Sequence, residues 1–123
     1  MRQAEGERSY HIFYEAIAGA DDAEFERWAL VDCAEARQLS RSGCTTRRDG
    51  VDDAAQFGLT RAATRVMGFS ADAFERAMAV LGALLHLGNL DFDEAEAAHA
   101  DSAAHVAPAA RPALARVLSL IHI

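Results

Sequence analysis

Three acidic residues in the second half of the chain are of the types found in metal sites. Asp91, Asp93 and Glu94 begin like a calcium-binding loop, in which oxygen ligands alternate along the chain and a glycine at the sixth position allows a sharp turn. Counted from Asp91, however, the fifth residue is Ala95 and the sixth is Glu96. This spacing argues against a calcium loop, and we predict no metal-binding residues here.

The histidines are candidates for zinc binding or for acid and base chemistry. His99 and His105 lie six residues apart in an acidic, alanine-rich segment without cysteines, which matches zinc sites poorly. His11 lies beside an aromatic stripe, and His86 lies near the end of an apolar segment, where positive charge would favour a helix dipole. We predict structural roles for His11 and His86, and no zinc site.

Four arginines in or beside residues 40–50 have the charge needed for a phosphate-binding patch. This stretch, SRSGCTTRRDG, is rich in the serine, threonine and glycine typical of loops. The arginines are Arg37, Arg41, Arg47 and Arg48. A solvated loop beside acidic helices explains them more simply than a phosphate site does.

The nucleophilic residues have no catalytic arrangement around them. Cys33 and Cys44 are far below the density of a disulfide scaffold, so we expect both to be reduced thiols in a cytosolic protein. No serine, histidine and acid can be grouped by their spacing, and there is no glycine-rich phosphate loop. The sequence therefore predicts no catalytic, cofactor-binding or metal-binding residues.

Composition limits the classes of partner. The 123 residues carry a formal net charge of -7. Nucleic acids and anionic membranes require a basic face, so we expect neither to bind. The longest apolar run, residues 77–87, is about half as long as a membrane span, and the first residues are too charged for a secretory signal. We expect a soluble, mainly α-helical piece of about one domain.

Apolar residues at helical spacing predict a first helix over residues 6–19. We expect it to be capped at or just before Ser9 and to end at Gly19 in a left-handed conformation. One face of this helix is aromatic and apolar, and it consists of Tyr10, Phe13, Tyr14 and Ile17. Such a stripe predicts core packing rather than cofactor binding.

Two further helices are predicted before the middle of the chain. One covers residues 21–37, where acidic residues in the first turn favour the helix dipole. The other begins at Asp52 or Asp53 and ends at Gly68. Its apolar positions are Leu59, Ala62, Ala63 and Val66, with Phe57 and Met67 near the same face.

The longest apolar segment lies within residues 67–92, where Ser70 is the predicted cap and Gly88 and Asn89 end the helix. One stripe of this central helix consists of Phe74, Met78, Leu81 and Leu85, and the neighbouring stripe of Val80, Leu84 and Leu87. A helix that is apolar nearly all round is normally buried. The three shorter helices offer too little surface to cover it, so we expect a piece of a larger assembly.

The remainder of the chain has weaker signals. Residues 90–92 alternate as in a short extended segment. Residues 93–112 are acidic and alanine-rich without an apolar face, and we expect them to form a surface loop. Residues 113–118 are expected to open another helix, and residues 113–123 to be a truncated end.

Two strings exceed what periodicity explains: GERSYHIFYEAIAG at residues 6–19 and MGFSADAFERAMAVLGALLHLGNLDF at residues 67–92. Both are similar to the motor domain of myosins, where a G-E-R-x-Y-H-I-F-Y-x-x-x-A-G helix precedes an S-G-C loop, a D-x-x-x-F-x-x-T segment, M-G-F-S and L-H-L-G-N-I-x-F. The intermediate landmarks here are Ser42, Gly43, Cys44, Asp53, Phe57 and Thr60. The resemblance spans residues 3–92 and departs from the family where Ala36, Arg37, Gln38 and Leu39 replace an aromatic Y-x-Y-L run.

The resemblance implies a fragment of the upper actin-binding half of a myosin head, downstream of switch I, within a larger α/β P-loop motor domain. The family hydrolyses ATP with Mg2+ through a P-loop (G-E-S-G-A-G-K-T), switch I (N-x-N-S-S-R-F) and switch II (D-I-x-G-F-E). None of these motifs occurs in this chain. The resemblance therefore implies ATP and Mg2+ for the complete parent protein, but no binding and no activity for this fragment alone.

The role implied for this segment is structural, as helices that link the nucleotide switches to the actin-binding cleft. The implied partners are actin filaments, through the complete motor domain, and the rest of the head. The implied location is the cytoplasm and cytoskeleton, in a myosin complex. The alternative is a non-enzymatic helical protein-interaction module derived from a myosin head.

Overall fold

A computed structural model describes residues 4, 6–44, 47, 49–94 and 104–121. These residues form a mainly α-helical block, which confirms the predicted fold class. Its helices are α1 (His11–Gly19), α2 (Asp22–Arg27), α3 (Arg37–Ser40), α4 (Asp53–Val66), α5 (Ala71–Leu87) and α6 (Arg111–Ile121). Two strands, β1 (Phe92–Glu94) and β2 (Ala104–Val106), pair antiparallel between α5 and α6. No helix of the described part combines the length and apolarity needed to cross a bilayer.

The junction between α4 and α5 forms as its sequence predicts. Gly68 has a φ of +90°, and its amide donates to the Arg65 carbonyl at 3.0 Å. The Phe69 amide donates to the Thr64 carbonyl, also at 3.0 Å. This pair of bonds is the Schellman motif, which ends a helix by satisfying its last carbonyls. Two residues later the Ser70 side chain caps α5, so stop, turn and start occupy three residues.

Helix α1 ends differently from the prediction. Gly19 lies inside the helix, and Ala20 in extended conformation follows it as the C-cap. A Cβ atom on Gly19 would lie 2.6 Å from the Cβ of Phe57 on α4. This glycine is therefore required by the close packing of α1 on α4 and not by a left-handed turn. The predicted cap also differs, because α1 begins at His11 without a side-chain cap and the Ser9 amide donates to the Tyr14 hydroxyl.

Helix α2 is much shorter than the predicted helix over residues 21–37. The Asp21 carboxylate caps it by accepting from the Glu24 amide at 2.7 Å, but the helix ends at Arg27. Ala29 then adopts a φ of +51°, a left-handed conformation that turns the chain away from the helix axis. A 3-10 turn and α3 replace the rest of the predicted helix.

Residues 27–37 instead run alongside α5 and the turn that follows it, in the same chain direction. Three hydrogen bonds join the two segments in order: Trp28 to Glu75 (2.7 Å), Ala29 to His86 (2.8 Å) and Glu35 to Asn89 (2.8 Å). These contacts between residues far apart in sequence explain why local helix propensity does not decide the structure after Arg27.

The closest approach in this pairing is at Gly82 of α5. A Cβ atom on Gly82 would lie 1.8 Å from the carbonyl oxygen of Trp28. Trp28 itself is 1% exposed, and it is among the largest fully buried side chains of the described part. The stripe of α5 that faces this segment is buried as predicted, and it consists of Phe74, Met78, Leu81 and Leu85.

The predicted surface loop over residues 93–112 contains regular structure where it is described. Strand β2 pairs with β1, with Phe92 opposite Val106. Pro108 begins a 3-10 turn that leads into α6, which packs along α5 and buries Val117. Of the predicted truncated end over residues 113–123, residues 113–121 belong to α6, and residues 122–123 lie outside the described residues.

The expectation of two reduced thiols is wrong for this structure. Cys33 and Cys44 form a disulfide, although they are eleven residues apart in sequence. Helix α3 and its following turn reverse the chain between them and bring their Cα atoms to 5.9 Å. Two cysteines in 123 residues do not indicate this pairing, because it depends on where α2 ends.

A pair of glycine substitutions tests the packing at the centre. We expect Gly82→Ala to destabilise the fold by about 3 kcal/mol or more, because the backbone oxygen of Trp28 cannot move aside without disrupting the core. The matched control is Gly58→Ala in α4, where an added Cβ meets nothing within 4 Å, and which should be stabilising by about 0.5–1 kcal/mol. Guanidinium unfolding followed by circular dichroism measures both, and equal effects would contradict this packing.

Candidate interaction surface

The first of the acidic residues considered as a calcium loop is engaged in another contact. The Asp91 carboxylate forms a bidentate pair with the Arg37 guanidinium, whose hydrogen bonds lower the pKa of Asp91. Asp93 and Glu94 belong to β1. Among the described residues, no group of three or more histidine, cysteine, aspartate or glutamate side chains is placed to hold a metal ion.

Two of the four arginines considered as a phosphate patch bond to separate carboxylates, Arg37 to Asp91 and Arg47 to Asp49. Arg47 pairs with Asp49 at 2.6 Å, and together with the Val51 amide it lowers the pKa of Asp49 to about 2. Arg41 is exposed, and Arg48 lies outside the described residues. The two carboxylates neutralise Arg37 and Arg47 locally, which is consistent with the simpler interpretation of a solvated loop.

The histidines differ in environment. His86 is 9% exposed, and its Nε2 donates to the Ala29 carbonyl at 2.8 Å, which agrees with the predicted structural role. His11 is exposed at the start of α1. His105 is exposed on β2 opposite Asp93, whereas His99 lies outside the described residues.

The second apolar stripe of α5 faces solvent. Val80, Leu84 and Leu87 are 55%, 43% and 47% exposed, although the opposite face of the same helix is fully packed. We call these three residues the α5 stripe. Single exposed leucines are common on protein surfaces, but three on one helical face form a continuous apolar surface. The sequence predicted that this chain could not cover both stripes, and the structure leaves this one open.

Helix α4 also presents apolar residues to solvent. Apart from Phe57, the predicted apolar positions of α4 are exposed, as are the residues at its end. The large exposed side chains are Leu59, Val66, Met67 and Phe69, which we call the α4 patch. The helix itself was predicted correctly, but the predicted apolar face is wrong, because the buried face is formed around Phe57 and the other predicted positions face solvent.

A groove lies next to the α5 stripe. It encloses about 360 Å³, and its lining is mostly apolar. The lining residues are Ser9, Tyr10, Phe13, Gln38, Leu84, Leu87 and Gly88. The Nε2 of Gln38 is buried and has no hydrogen-bond partner among the described residues. An open apolar groove beside an exposed apolar stripe has the features of a surface that another polypeptide segment completes.

Three aromatic rings support this surface from inside. Trp28, Phe57 and Phe74 come from the segment after α2, from α4 and from α5. Their ring centroids are 6.1–6.2 Å apart, and Trp28 meets the other two rings edge to face. Such contacts favour one relative orientation of the elements, because aromatic rings attract each other in specific geometries.

The Arg61 guanidinium covers the aromatic cluster. Its Cζ lies 5.0 Å from the Phe57 ring, 5.1 Å from Phe74 and 5.8 Å from Trp28. The same guanidinium pairs with the Glu24 carboxylate, which is largely buried. The cation is therefore both held by a carboxylate and attracted to three ring faces.

The Glu75 carboxylate connects the Arg27 guanidinium to the indole of the buried Trp28. It accepts bonds from the Arg27 guanidinium at 2.9 Å and from the Trp28 indole at 2.7 Å. These hydrogen bonds, first that of Arg27, lower the pKa of Glu75. The tryptophan that fills the core is thus fixed at its polar edge as well.

Sequence reasoning missed Arg61 and Glu24. A signal for Arg61 existed, because it follows Phe57 by four residues and therefore lies on the same face of α4. No local pattern indicated the contact of Trp28 with Glu75, which lie 47 residues apart.

Comparison with known proteins decides the family. The family model described as myosin head (motor domain) matches residues 1–121. The chain belongs to the myosin motor domain family. It is 40% identical to Myosin-1 of Arabidopsis thaliana over 118 residues, 96% of this chain and 10% of that protein. It is also 41% identical to Myosin heavy chain IB of Acanthamoeba castellanii over 92 residues, 75% of this chain and 8% of that protein.

The match to myosin heads confirms the resemblance stated from the two strings. The chain spans about a tenth or less of the length of these relatives. The structure described above is therefore that of one helical part of a myosin head, and the aromatic cluster and the exposed apolar surfaces belong to that part.

The pKa of Glu75 predicts a pH dependence of stability. Because folding lowers this pKa, the carboxylate stabilises the fold above its unfolded pKa, and this contribution is lost as the pH falls through the lower folded value. Glu75→Gln keeps an acceptor for Trp28 but removes the charge. We expect it to reduce the loss of stability between pH 6 and pH 3, by less than about 1 kcal/mol because the pair is partly exposed.

The measurement is guanidinium unfolding at each pH for the parent chain and for Glu75→Gln. Glu26→Gln is the control, since the Glu26 side chain is exposed in the last turn of α2 and forms no ion pair with the other described residues. Glu26→Gln should leave the dependence nearly unchanged. Parallel curves for the parent chain and Glu75→Gln would show that Glu75 does not contribute.

Proposed function

We propose that this chain is an internal helical block of an ATP-driven actin motor, where it links the nucleotide switches to the actin-binding cleft. The observation that carries the proposal is the α5 stripe, an exposed apolar face on a helix whose other face is packed into an aromatic core. A helical block inside a larger head needs this arrangement, because its own core must be rigid and the surfaces that contact neighbouring parts must be apolar.

The exposed surface gives the energetic reason for further packing. Each of the three side chains of the α5 stripe is about half exposed, and covering it contributes on the order of 1 kcal/mol. The α4 patch adds to this. A covering segment of the head would supply apolar side chains for the stripe.

The interior supports a mechanical role. Helix α5 meets the backbone of Trp28 at Gly82, and the Arg61 guanidinium covers the rings of three separate elements. Closely packed cores move as units rather than deform. Displacement of one end by a nucleotide switch would therefore be passed on by rotation of the whole block.

The residues of this chain do not fit a nucleotide or its magnesium ion. The nucleotide motifs of the family are absent from the sequence, and the described part offers no metal-binding cluster. Four arginines form ion pairs with carboxylates that are distant in sequence, in the pairs Arg8–Asp53, Arg27–Glu75, Arg37–Asp91 and Arg61–Glu24. ATP, Mg2+, actin binding and a cytoskeletal location are thus proposed for the complete motor and not for this block by itself.

A charge placed in the α5 stripe tests the proposal. Leu84→Glu should destabilise the isolated 123-residue chain by about 1 kcal/mol, since about half of the leucine side chain is already buried there. In a longer protein that carries the rest of the head, the same substitution should cost about 2–4 kcal/mol and lower actin-activated ATP hydrolysis, because a charge would be buried without a partner. Chemical unfolding and ATPase assays on both chains measure this.

Ala23→Glu in the exposed first turn of α2 introduces the same charge and is the control, with little effect expected in either chain. If Leu84→Glu costs no more in the longer protein than in the isolated chain, the stripe faces solvent there and the proposal fails. If the isolated chain binds actin filaments without nucleotide and Leu84→Glu abolishes that binding, the block is an interaction module instead.

A further inference from the structure

We propose that Cys33 and Cys44 form a reversible redox site, which exchanges with small-molecule disulfides of the glutathione type. The site goes beyond the mechanical role above, because it does not depend on nucleotide, actin or the rest of the head. The two cysteines are the ends of residues 33–44, a segment that contains α3 and that we call the clasp. Both are only partly buried, so a small disulfide can reach them.

The two ends of the clasp are held in place by contacts other than the sulfur bond. The Ser42 hydroxyl, two residues before Cys44, donates to the Leu39 carbonyl at 2.7 Å. It also accepts from the Tyr14 hydroxyl of α1 at 2.9 Å. Since Ser42 is 4% exposed, these bonds fix the end of the clasp against the core.

The other end is held by the turn that follows α5. The Asn89 amide group donates to the Glu35 carbonyl at 2.8 Å, and its oxygen accepts from the Arg37 amide at 2.9 Å. Arg37 also pairs with Asp91. One side chain, Asn89, therefore secures the chain on both sides of Ala36, just after Cys33.

Apolar packing fixes the middle of the clasp. Ala36 and Leu39 are fully buried in the same cluster as Tyr14 and Trp28. The reduced chain would keep these contacts, so the two thiols remain near each other when the bond is open. Preorganisation of this kind raises the effective concentration of one thiol at the other, far above the millimolar values of a flexible chain.

The exchange proceeds in two balanced steps. The thiolate of one cysteine attacks oxidised glutathione, forms a mixed disulfide and releases one glutathione thiolate. The thiolate of the second cysteine then attacks the protein sulfur of that mixed disulfide. This forms the Cys33–Cys44 bond and releases the second glutathione as a thiolate. The protein loses two electrons and two protons, and the glutathione disulfide takes up both to become two glutathione thiols. Excess reduced glutathione reverses both steps.

The test is equilibration of the protein in buffers with different ratios of reduced to oxidised glutathione. Acid quenching, alkylation of free thiols and intact-mass analysis give the fraction oxidised, and hence the effective concentration of the pair. We expect the native value to exceed the value in 6 M guanidinium by at least about a hundredfold. The titration is carried out on the 123-residue chain and on a longer protein that contains it, so that the folding of the isolated chain does not decide the result.

Variants separate this site from a pair of merely accessible thiols. Asn89→Ala removes two hydrogen bonds that position the clasp but touches neither sulfur, and should lower the effective concentration about tenfold. Asp72→Asn, in an exposed pair on α5, should leave it unchanged. Equal values in buffer and in denaturant, or no response to Asn89→Ala, would overturn the proposal. A failure of the Leu84→Glu test would leave this result unaffected.

Discussion

The contact between the Trp28 backbone and Gly82 is the constraint on which the rest of the block depends. A carbonyl group can lie against a helix at this distance only where the helix has no side chain. Once the chain is there, the indole ring enters the space between Phe57 and Phe74, and its polar edge meets Glu75. The early end of α2 and the left-handed Ala29 follow from the same contact, because a continued helix would carry the chain away from α5.

The block has an uneven distribution of polarity. Its interior contains an arginine, a buried glutamate and an indole hydrogen bond, whereas large apolar side chains of α4 and α5 face outwards. In an independent domain this distribution would be costly, since apolar surface stays in contact with water while the buried charges lose their hydration. In one part of a myosin head it is consistent with an interior pair that fixes orientation and an exterior that neighbouring parts complete.

Local signals in the sequence predicted local structure well. The caps at Ser70 and Asp52 and the stop at Gly68 were correct, because each depends on residues within one turn. The extent of α2 was not predictable, since the residues that end it lie on α5. Gly19 illustrates the same limit, because a glycine near the end of a helix indicates a turn, while here it admits the side chain of Phe57.

The candidate surface was predictable in one respect and not in another. The number of apolar positions on α5 exceeded what the other helices could cover, and this required only the sequence. Which stripe would stay open depended on the segment after α2, and so did the approach of Cys33 to Cys44. The outward orientation of Leu59 and Val66 likewise required knowledge of how α1 meets α4.

The parallel course of residues 27–37 and α5 has a consequence for folding during synthesis on the ribosome. The paired residues lie 47 to 57 positions apart, and they meet in the same chain direction, which no tight hairpin can produce. Trp28 therefore leaves the ribosome well before Glu75 and His86 exist to receive it. Contacts of such long range form late. The nascent chain must carry an unpaired indole and an unfinished core until the end of α5 emerges, so this block is expected to fold in one late step.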